Sequence, residues 1–560
     1  MDDKYDLESV NLPYLSGLAF KLFVELLESP LRGLVVPGLL KQAGFERFRA
    51  LDVDEPPTLY PYTYSGPLAS EDGQVSRIEL PDTAPAAGPG FKFTNVYDYA
   101  RAYREGTTDP EEVAHKVLTA IKASNQADPP LRAIIFVDED DVLSQARAAK
   151  ERLQTGTALS IFDGVPVAVK DEVDMLPFPT TVGTSFLGNQ PAAEDSTVVA
   201  RMRAAGALLI GKTNLHEIGI GMTGFNRHHG TARNPYNTAH YTGGSSSGPA
   251  GAVASGLCPV AIGADGGGSI RVPAAFCGLV GLKATFGRVS EFGAADLCWS
   301  VAYLGPIAAS VADAALMYGI LAGPDLKDEH SLHQPAPRLH GWDQTDLSGL
   351  KLGIYEPWFN HASQEMVRAC QEMVESFKQL GAEVHQVVIP DLDACRVAHL
   401  ITIAGEMTQA LDRYDREHRK DYSLEVRTNL ALAREFTARD YIKAQRVRTR
   451  MMANFNQVLK DVDVVLTPVS GVSAPQIKAT ALPDGDSDLS TLNEIMRFGV
   501  VANMTGLPAI AFPVGYTQTG LPLGMQAIAR PWEEVTLLRI ARAAEQVVER
   551  QKPQVWYQIL

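Results

Sequence analysis

Three stretches carry side chains that could together open a carbonyl bond. Lys170 ends the apolar run "GVPVAVKD", three serines follow two glycines in "YTGGSSSG", and Ser269 follows three glycines in "GADGGGSIRVP". A serine hydroxyl is a weak nucleophile at its free pKa and needs a base beside it. No histidine lies in or next to these serine motifs except His240, within "NTAHYT". Lysine is the remaining base, and it serves only when neutral. From a reference pKa near 10.4, a drop of about three units corresponds to ~4 kcal/mol of differential interaction. Burial among Val165, Val167 and Val169 pushes that way. The carboxylates of Asp171 and Glu172 would oppose the shift if they faced the ammonium, and strand alternation turns at least Asp171 away. Consecutive glycines weaken any regular element, so their use here implies close approach. The amides of Gly266, Gly267, Gly268 and Ser269 could converge on one oxygen and stabilise a tetrahedral oxyanion. Asp265 and Arg271 flank that loop and are expected to anchor it.

Taken singly, these features have plainer readings, namely a solvated strand end, a turn and a close backbone contact. Two rival motifs fail on context. "GALLIGKT", Gly206 to Thr213, fits the phosphate-loop pattern G-x-x-x-x-G-K-[ST]. That motif needs a strand and then a loop, whereas Ala207 to Ile210 read as the strand itself, so a nucleotide-binding regulator is the unfavoured reading. "GSSSG", Gly244 to Gly248, fits a nucleophile elbow, which follows a buried apolar strand. Here "ARNPYNTAHYT" precedes it and reads as a loop.

The elements that must position these residues alternate along the chain. "EEVAHKVLTAIKAS" and "VLSQARAAKERLQTG" have helical patterning; "RAIIFV", "GVPVAVKD", "ALLIGK", "CPVAIG", "KLGIYE", "VDVVLTP", "PAIAFPVG" and "LGMQAIA" read as strands. Such alternation predicts an α/β fold with a parallel or mixed sheet covered on both faces. Hydrophobic residues make up 45% of 560, enough for a large core, and the net charge of −16 argues against a nucleic-acid surface. Five scattered cysteines without a C-x-x-C pair read as reduced and structural, in an intracellular compartment, with no zinc site. Neither a KDEL-like nor an SKL-like ending is present.

Ahead of this body, residues 1–50 form a helical arm. Lys21, Glu25, Glu28 and Arg32 recur at helical spacing, Leu18, Leu22, Phe23, Leu26 and Leu27 fill the other side, and Pro30 and Pro37 interrupt. Its charges and prolines exclude a spanning helix. The arm is read as packed on the body or on a second subunit, or as facing a membrane and admitting an apolar substrate. A Pro-rich connector, 51–95, is expected to run extended over the surface, and 96–560 is assigned as one catalytic domain.

The segment "YTGGSSSGPAGAVASGLCPVAIGADGGGSIRVPAAFCGLVGLKATFGRVS", with "PVAVKDEVD" and "GKTNLHEIGIG" upstream, resembles the amidase signature family. The resemblance implies a large mixed, twisted sheet with helices on both faces and no cofactor or metal. It implies a catalytic trio: Lys170 as base, Ser269 as the acylated nucleophile, and Ser245, on a cis peptide 24 positions before Ser269, as the bridge. Ser246 becomes a supporting hydrogen-bond partner, Ser247 part of the turn, and Met222 and Thr223 candidate pocket residues. Ala264 stands where many members carry a hydroxyl. The start "PYLSGLAFKLFVELLESPLRGLVV" and the ending "YQIL" resemble the plant fatty acid amide hydrolase branch. That branch implies N-acylethanolamine substrates, a homodimer and membrane-proximal N-terminal helices. The alternatives within the family are an aryl or small-amide amidase and the amidase subunit of a tRNA-dependent amidotransferase.

Overall fold

The structure, a computed structural model, describes residues 5–8, 13–62, 80–81 and 83–560. Apolar runs bounded by turn residues supply the strands of one large sheet. In chain order these are β1 Ile134–Phe136, β2 Pro166–Lys170, β3 Leu208–Thr213, β4 Val260–Ala264, β5 Val280–Lys283, β6 Leu304–Ala308, β7 Lys351–Ile354, β8 Glu383–Gln386, β9 Val464–Pro468, β10 Ala509–Tyr516 and β11 Pro522–Ala529. They form an 11-stranded mixed sheet in the order β8-β7-β9-β11-β10-β5-β6-β4-β2-β3-β1. Helices cover it, and the α/β class expected from the alternation is the one observed.

The part of the sheet that matters for chemistry is the parallel trio β4-β2-β3. Val169 of β2 lies opposite Ile262 of β4 and Lys212 of β3. All three strands are buried along their length, which is why they read as continuous apolar runs. Parallel pairing brings their carboxyl ends to one edge, so Lys170 and the glycine loop after Ala264 emerge side by side. Ligands of open α/β sheets bind in such crevices. The phosphate-loop candidate is inside β3, and its Lys212 is fully buried in an ion pair with Asp171 at 2.9 Å.

The helices at 110–126 and 139–155 start at Asp109 and Asp138, whose carboxylates cap backbone amides, and the second stops at Gly156 with φ 70°. Three strands escaped the sequence reading. β5 and β6, "VGLK" and "LGPIA", contain glycine or proline, which mimic turn punctuation, and β8, "EVHQ", lies at the sheet edge with no apolar run. The stretch read as a loop before the serines contains a small hairpin, Arg233–Asn234 with Asn237–Tyr241. It lies outside the large sheet, so the elbow arrangement does not arise.

The arm comprises α1 Gly17–Glu28, a 3-10 turn at Pro30–Leu34, α2 Val36–Gln42 and α3 Phe45–Ala50. It packs on a helical layer made of α4 Leu392–His418, α5 Leu424–Ala433 and α6 Ala438–Asp461. The expected apolar side is corrected here. Phe20, Val24 and Leu27 face inward, whereas Leu18 and Leu22 are 72% and 61% exposed. Two contacts set this rotation. Arg427 of α5, 6% exposed, draws Glu28 to 2.5 Å and Glu25 to 3.0 Å, turning acidic residues toward the body. Leu15–Ser16 pairs antiparallel with Asp486–Ser487 and fixes where α1 begins. Leu31 and Leu34 are exposed as well, at 60% and 78%.

Residues 51–62 and 83–95 of the connector form no helix or ladder, only an isolated bridge at Gly90. Residues 51–62 are held by α6, where Arg450 pairs with Glu55 at 2.8 Å and Lys443 Nζ donates to the Leu51 carbonyl, whereas 83–95 run beside Arg550, whose amide donates to the Pro89 carbonyl at 3.2 Å. Pro67 and the rest of 63–79 lie outside the described residues. Among the described residues no helix is long and apolar enough to cross a membrane. All five cysteines are buried and unpaired. Arg427→Ala should leave Glu28 as a half-paired carboxylate against the body, at a cost of roughly 1–3 kcal/mol. The expected result is a lower melting temperature with early proteolytic cleavage near Pro30; an unchanged cleavage pattern would contradict this account of how α1 is held.

Candidate active site

Lys170, Ser245 and Ser269 come together at the carboxyl ends of β2 and β4. Lys170 is 1% exposed, and its Nζ donates to Ser245 Oγ at 2.8 Å. The Gly244–Ser245 peptide is cis. The two serine loops are joined through the backbone, since Ser246 N donates to the Ser269 carbonyl at 3.3 Å. Ser269 is 3% exposed, and its hydroxyl donates to Met222 Sδ at 3.7 Å. Ser246 Oγ donates to the Ala264 carbonyl at 3.0 Å and accepts from the Ala264 amide at 3.2 Å. Those bonds clamp the end of β4. Ser247 opens the helix Ser247–Ala254, and His240 sits in the hairpin bridged to Gln476.

One of the two carboxylates after the lysine faces it. Asp171 does turn away, toward Lys212, but Glu172 does not: its Oε2 lies 2.5 Å from Lys170 Nζ. Alternation sets residues 170 and 172 on one face and 171 on the other, as found here. The approach is off-axis, with the aligned hydrogen bond of Nζ directed at Ser245, and no other described group bonds Oε2.

The glycine loop is shaped by crowding. Gly268 has φ 120°, and a Cβ on Gly267 would come within 2.9 Å of the His399 ring. Four convergent amides were expected, and the structure leaves three. Gly268 N donates to Asp265 Oδ1 at 2.7 Å, whereas among the described residues no hydrogen bond occupies the amides of Gly266, Gly267 and Ser269. His399 Nε2 donates to the Gly266 carbonyl at 2.7 Å. Burial pushes this imidazole down to about 4, only partly offset by that carbonyl, so it is a neutral donor.

Asp265 and Arg271 hold the loop from below, both fully buried. The guanidinium donates to both Asp265 oxygens at 3.0 Å, to Gln526 Oε1 at 2.9 Å, to Asn503 Oδ1 at 2.6 Å and to the Gly499 carbonyl at 3.0 Å. Burial alone would raise the Asp265 carboxyl. The Arg271 charge, with hydrogen bonds from Arg271, Asn503 and the Ile270 amide, outweighs it and holds the group well below the usual carboxylate range. Sequence reasoning found Asp265 and Arg271 but missed Asn503, Gln526 and His399, which lie far along the chain with no local motif. Glu172 it weighed only as an opposing charge.

Ser269 opens into a largely apolar cavity. Met222, Ile403, Leu432 and Met496 line it, and the arm contributes Leu39, Leu40 and Phe45. A neighbouring space shares Met222 and Leu432 and is lined also by His216, Glu425, Lys478 and Asp486. Thr223 lies there, 3.4 Å from His216 Nδ1, rather than beside Ser269.

The Asp265 carboxyl is depressed, so its contribution to stability is present above the unfolded value near 3.9 and lost as pH falls toward the folded one. Arg271→Met would strand a buried carboxylate at a cost of roughly 3–5 kcal/mol. Denaturant unfolding at neutral pH should report that loss, and a change under about 1 kcal/mol would show that the pair does not hold the loop.

A family model described as Amidase matches residues 116–538. A protein of Arabidopsis thaliana named fatty acid amide hydrolase is 39% identical over 100% of this chain and 96% of its own length, and one of Medicago truncatula with the same name is 40% identical with the same coverage. A Coxiella burnetii subunit of glutamyl-tRNA(Gln) amidotransferase is 34% identical over 80% of this chain and 96% of its own. Among solved structures, the native peptide amidase of Stenotrophomonas maltophilia has a TM-score of 0.71 at 28% identity, covering 82% of this chain and 98% of that one. The chain belongs to the amidase signature family and is an amide-hydrolysing enzyme.

Proposed function

We propose that this enzyme hydrolyses fatty acid amides, taking N-acylethanolamines to a fatty acid and ethanolamine. The observation that carries the reading is the apolar cavity that starts at Ser269 and is walled on one side by Leu39, Leu40 and Phe45 of the arm. An acyl chain suits such an apolar lining, and a small polar amide would make little use of it. Similarity to the plant proteins named fatty acid amide hydrolase runs through the full chain, arm included.

In this mechanism neutral Lys170 accepts a proton from Ser245 while Ser245 accepts one from Ser269. The Ser269 hydroxyl rotates from Met222 toward Ser245, a rearrangement in keeping with the loose hydrogen bonds of unliganded sites. Ser269 Oγ attacks the amide carbon, and the amides of Gly266, Gly267 and Ser269 stabilise the oxyanion. The relay returns the proton to the leaving nitrogen, the C–N bond breaks, and water admitted to the site hydrolyses the acyl-serine. Leu18, Leu22, Leu31 and Leu34, all exposed on the arm, serve as a peripheral lipid contact, with a second copy of the chain, in a homodimer, as the competing occupant.

The test is a matched series of acetyl, decanoyl and long polyunsaturated ethanolamides. Burying each methylene contributes about 0.8 kcal/mol, so kcat/KM should rise by up to about fourfold per methylene until the cavity is filled. Ser269→Ala and Lys170→Ala should both abolish turnover. A flat or falling profile that still depends on Ser269 would discard the fatty amide in favour of an aryl or small-amide substrate.

A further inference from the structure

Lys170 has two close polar neighbours, and the relay uses only one. Ser245 takes the aligned hydrogen bond at 2.8 Å, and Glu172 Oε2 stands 2.5 Å away on the other side. Glu172 is 7% exposed, and Oε2 has no hydrogen-bond partner among the described residues. A buried carboxylate is tolerated when it is paired, but its partner here is the base of the relay, and holding that base as an ammonium works against it unless the carboxylate takes part. Ser245 Oγ and Glu172 Oε2 both lie 3.6 Å from the point where a Cβ on Gly219 would stand. Glu172 therefore belongs to the same packed cluster as the serine bridge.

We infer that Glu172 stores the proton Lys170 must shed, so that the base of the relay is a lysine–glutamate pair rather than a lysine made neutral by burial alone. This rests on the relay proposed above. The step is internal to the pair. An Nζ–H bond breaks and an Oε2–H bond forms, converting ammonium and carboxylate into amine and carboxylic acid with no change in net charge. In a dry site this exchange removes two opposite charges together, which avoids the desolvation cost of leaving either one alone. The Nζ lone pair then accepts the Ser245 proton as Ser245 accepts that of Ser269. When the tetrahedral intermediate collapses, Nζ returns its proton through Ser245 to the leaving nitrogen. Glu172 keeps its proton through both half-reactions and gives it back to Nζ when the pair relaxes.

Several of the ionisable groups around the pair have their own partners or are held neutral, and Asp296 lines the same cavity as Glu172. Asp171 is paired with Lys212, and Asp265 with Arg271. Glu406 accepts from Ser300 and Tyr441. Burial, with Asp328, Asp296 and Glu172 nearby, pushes the Glu291 carboxyl well up, and burial does the same to the Cys298 thiol. Glu291 and Cys298 share with Glu172 a separate cavity on the far side of the pair. Among the described residues Lys170 is the one cation in contact with Glu172.

The sign of a pH displacement tests the inference. In the wild type the one-proton pair can reach its active arrangement at any pH until a second proton arrives, so the acid limb of kcat/KM marks that second proton. In Glu172→Gln the limb marks the first proton on lysine alone. It should therefore move to higher pH, each unit of displacement reading as about a tenfold lower kcat/KM on the acid side. If Glu172 were only a charge that favours the ammonium, the same variant would move the limb to lower pH. A limb that moves down or stays put overturns the inference. Thermal melting of Glu172→Gln reports its folding. Should that variant fail to fold, Glu172→Ala with added formate is the substitute. Recovery of acid-side activity by formate, which can enter from the far cavity, supports the stored proton, and absence of recovery overturns it. Ser269→Ala and Lys170→Ala run in the same assay; their retaining activity would sink the relay itself, a result separate from the position of the limb.

Discussion

The geometry of the catalytic edge depends on the buried ion pair between Asp265 and Arg271. A loop of three glycines has no side chains of its own with which to hold a shape. Here its shape comes from the carboxylate, which binds the amides of Gly268 and Ile270 while the guanidinium binds the carboxylate. Arg271 in turn is fixed by Gln526 on β11 and by Asn503. The loop after β4 is thereby tied to a strand from the far end of the chain. A pair with this many donors and acceptors satisfied meets the condition under which buried charges are tolerated. The parallel register of β2 and β4 does the complementary part. It delivers Lys170 and the Ala264 end, from which the loop to Ser269 leaves, to one edge with no adjustable loop between them. The cis Gly244–Ser245 peptide and the contact from Ser246 to both backbone groups of Ala264 then seat the bridging serine.

How far the sequence revealed this differs between parts of the molecule. β2, β3 and β4 were legible because strands buried on both faces leave uninterrupted apolar runs between turn residues. β5 and β6 were not, since Gly281, Gly305 and Pro306 occupy places where pairing partners, rather than propensity, define the strand. Lys170, Ser245, Asp265, Ser269 and Arg271 were found because their motifs are local. His399, Asn503 and Gln526 act across hundreds of residues and left no local trace. Glu172 was visible and was weighed as an opposing charge, and its contact with Lys170 is the one that alternation allows, since residues 170 and 172 share a face. The arm was recognised as amphipathic, yet its rotation was wrong, because the position of Arg427 on α5 decides which face turns inward.

The arm also explains why an addition to the catalytic domain bears on its chemistry. Its inner residues complete the cavity beside Ser269, while its outer leucines are left in solvent. One short segment thus meets both the cavity and whatever lies outside the molecule.

The most direct measurement is mass spectrometry of the enzyme quenched in acid during turnover of a long-chain acyl ethanolamide. An acyl adduct on the peptide containing Ser269, absent from the Lys170→Ala protein, is the predicted result. An adduct on another residue, or sustained turnover with Ser269 never acylated, would contradict the relay.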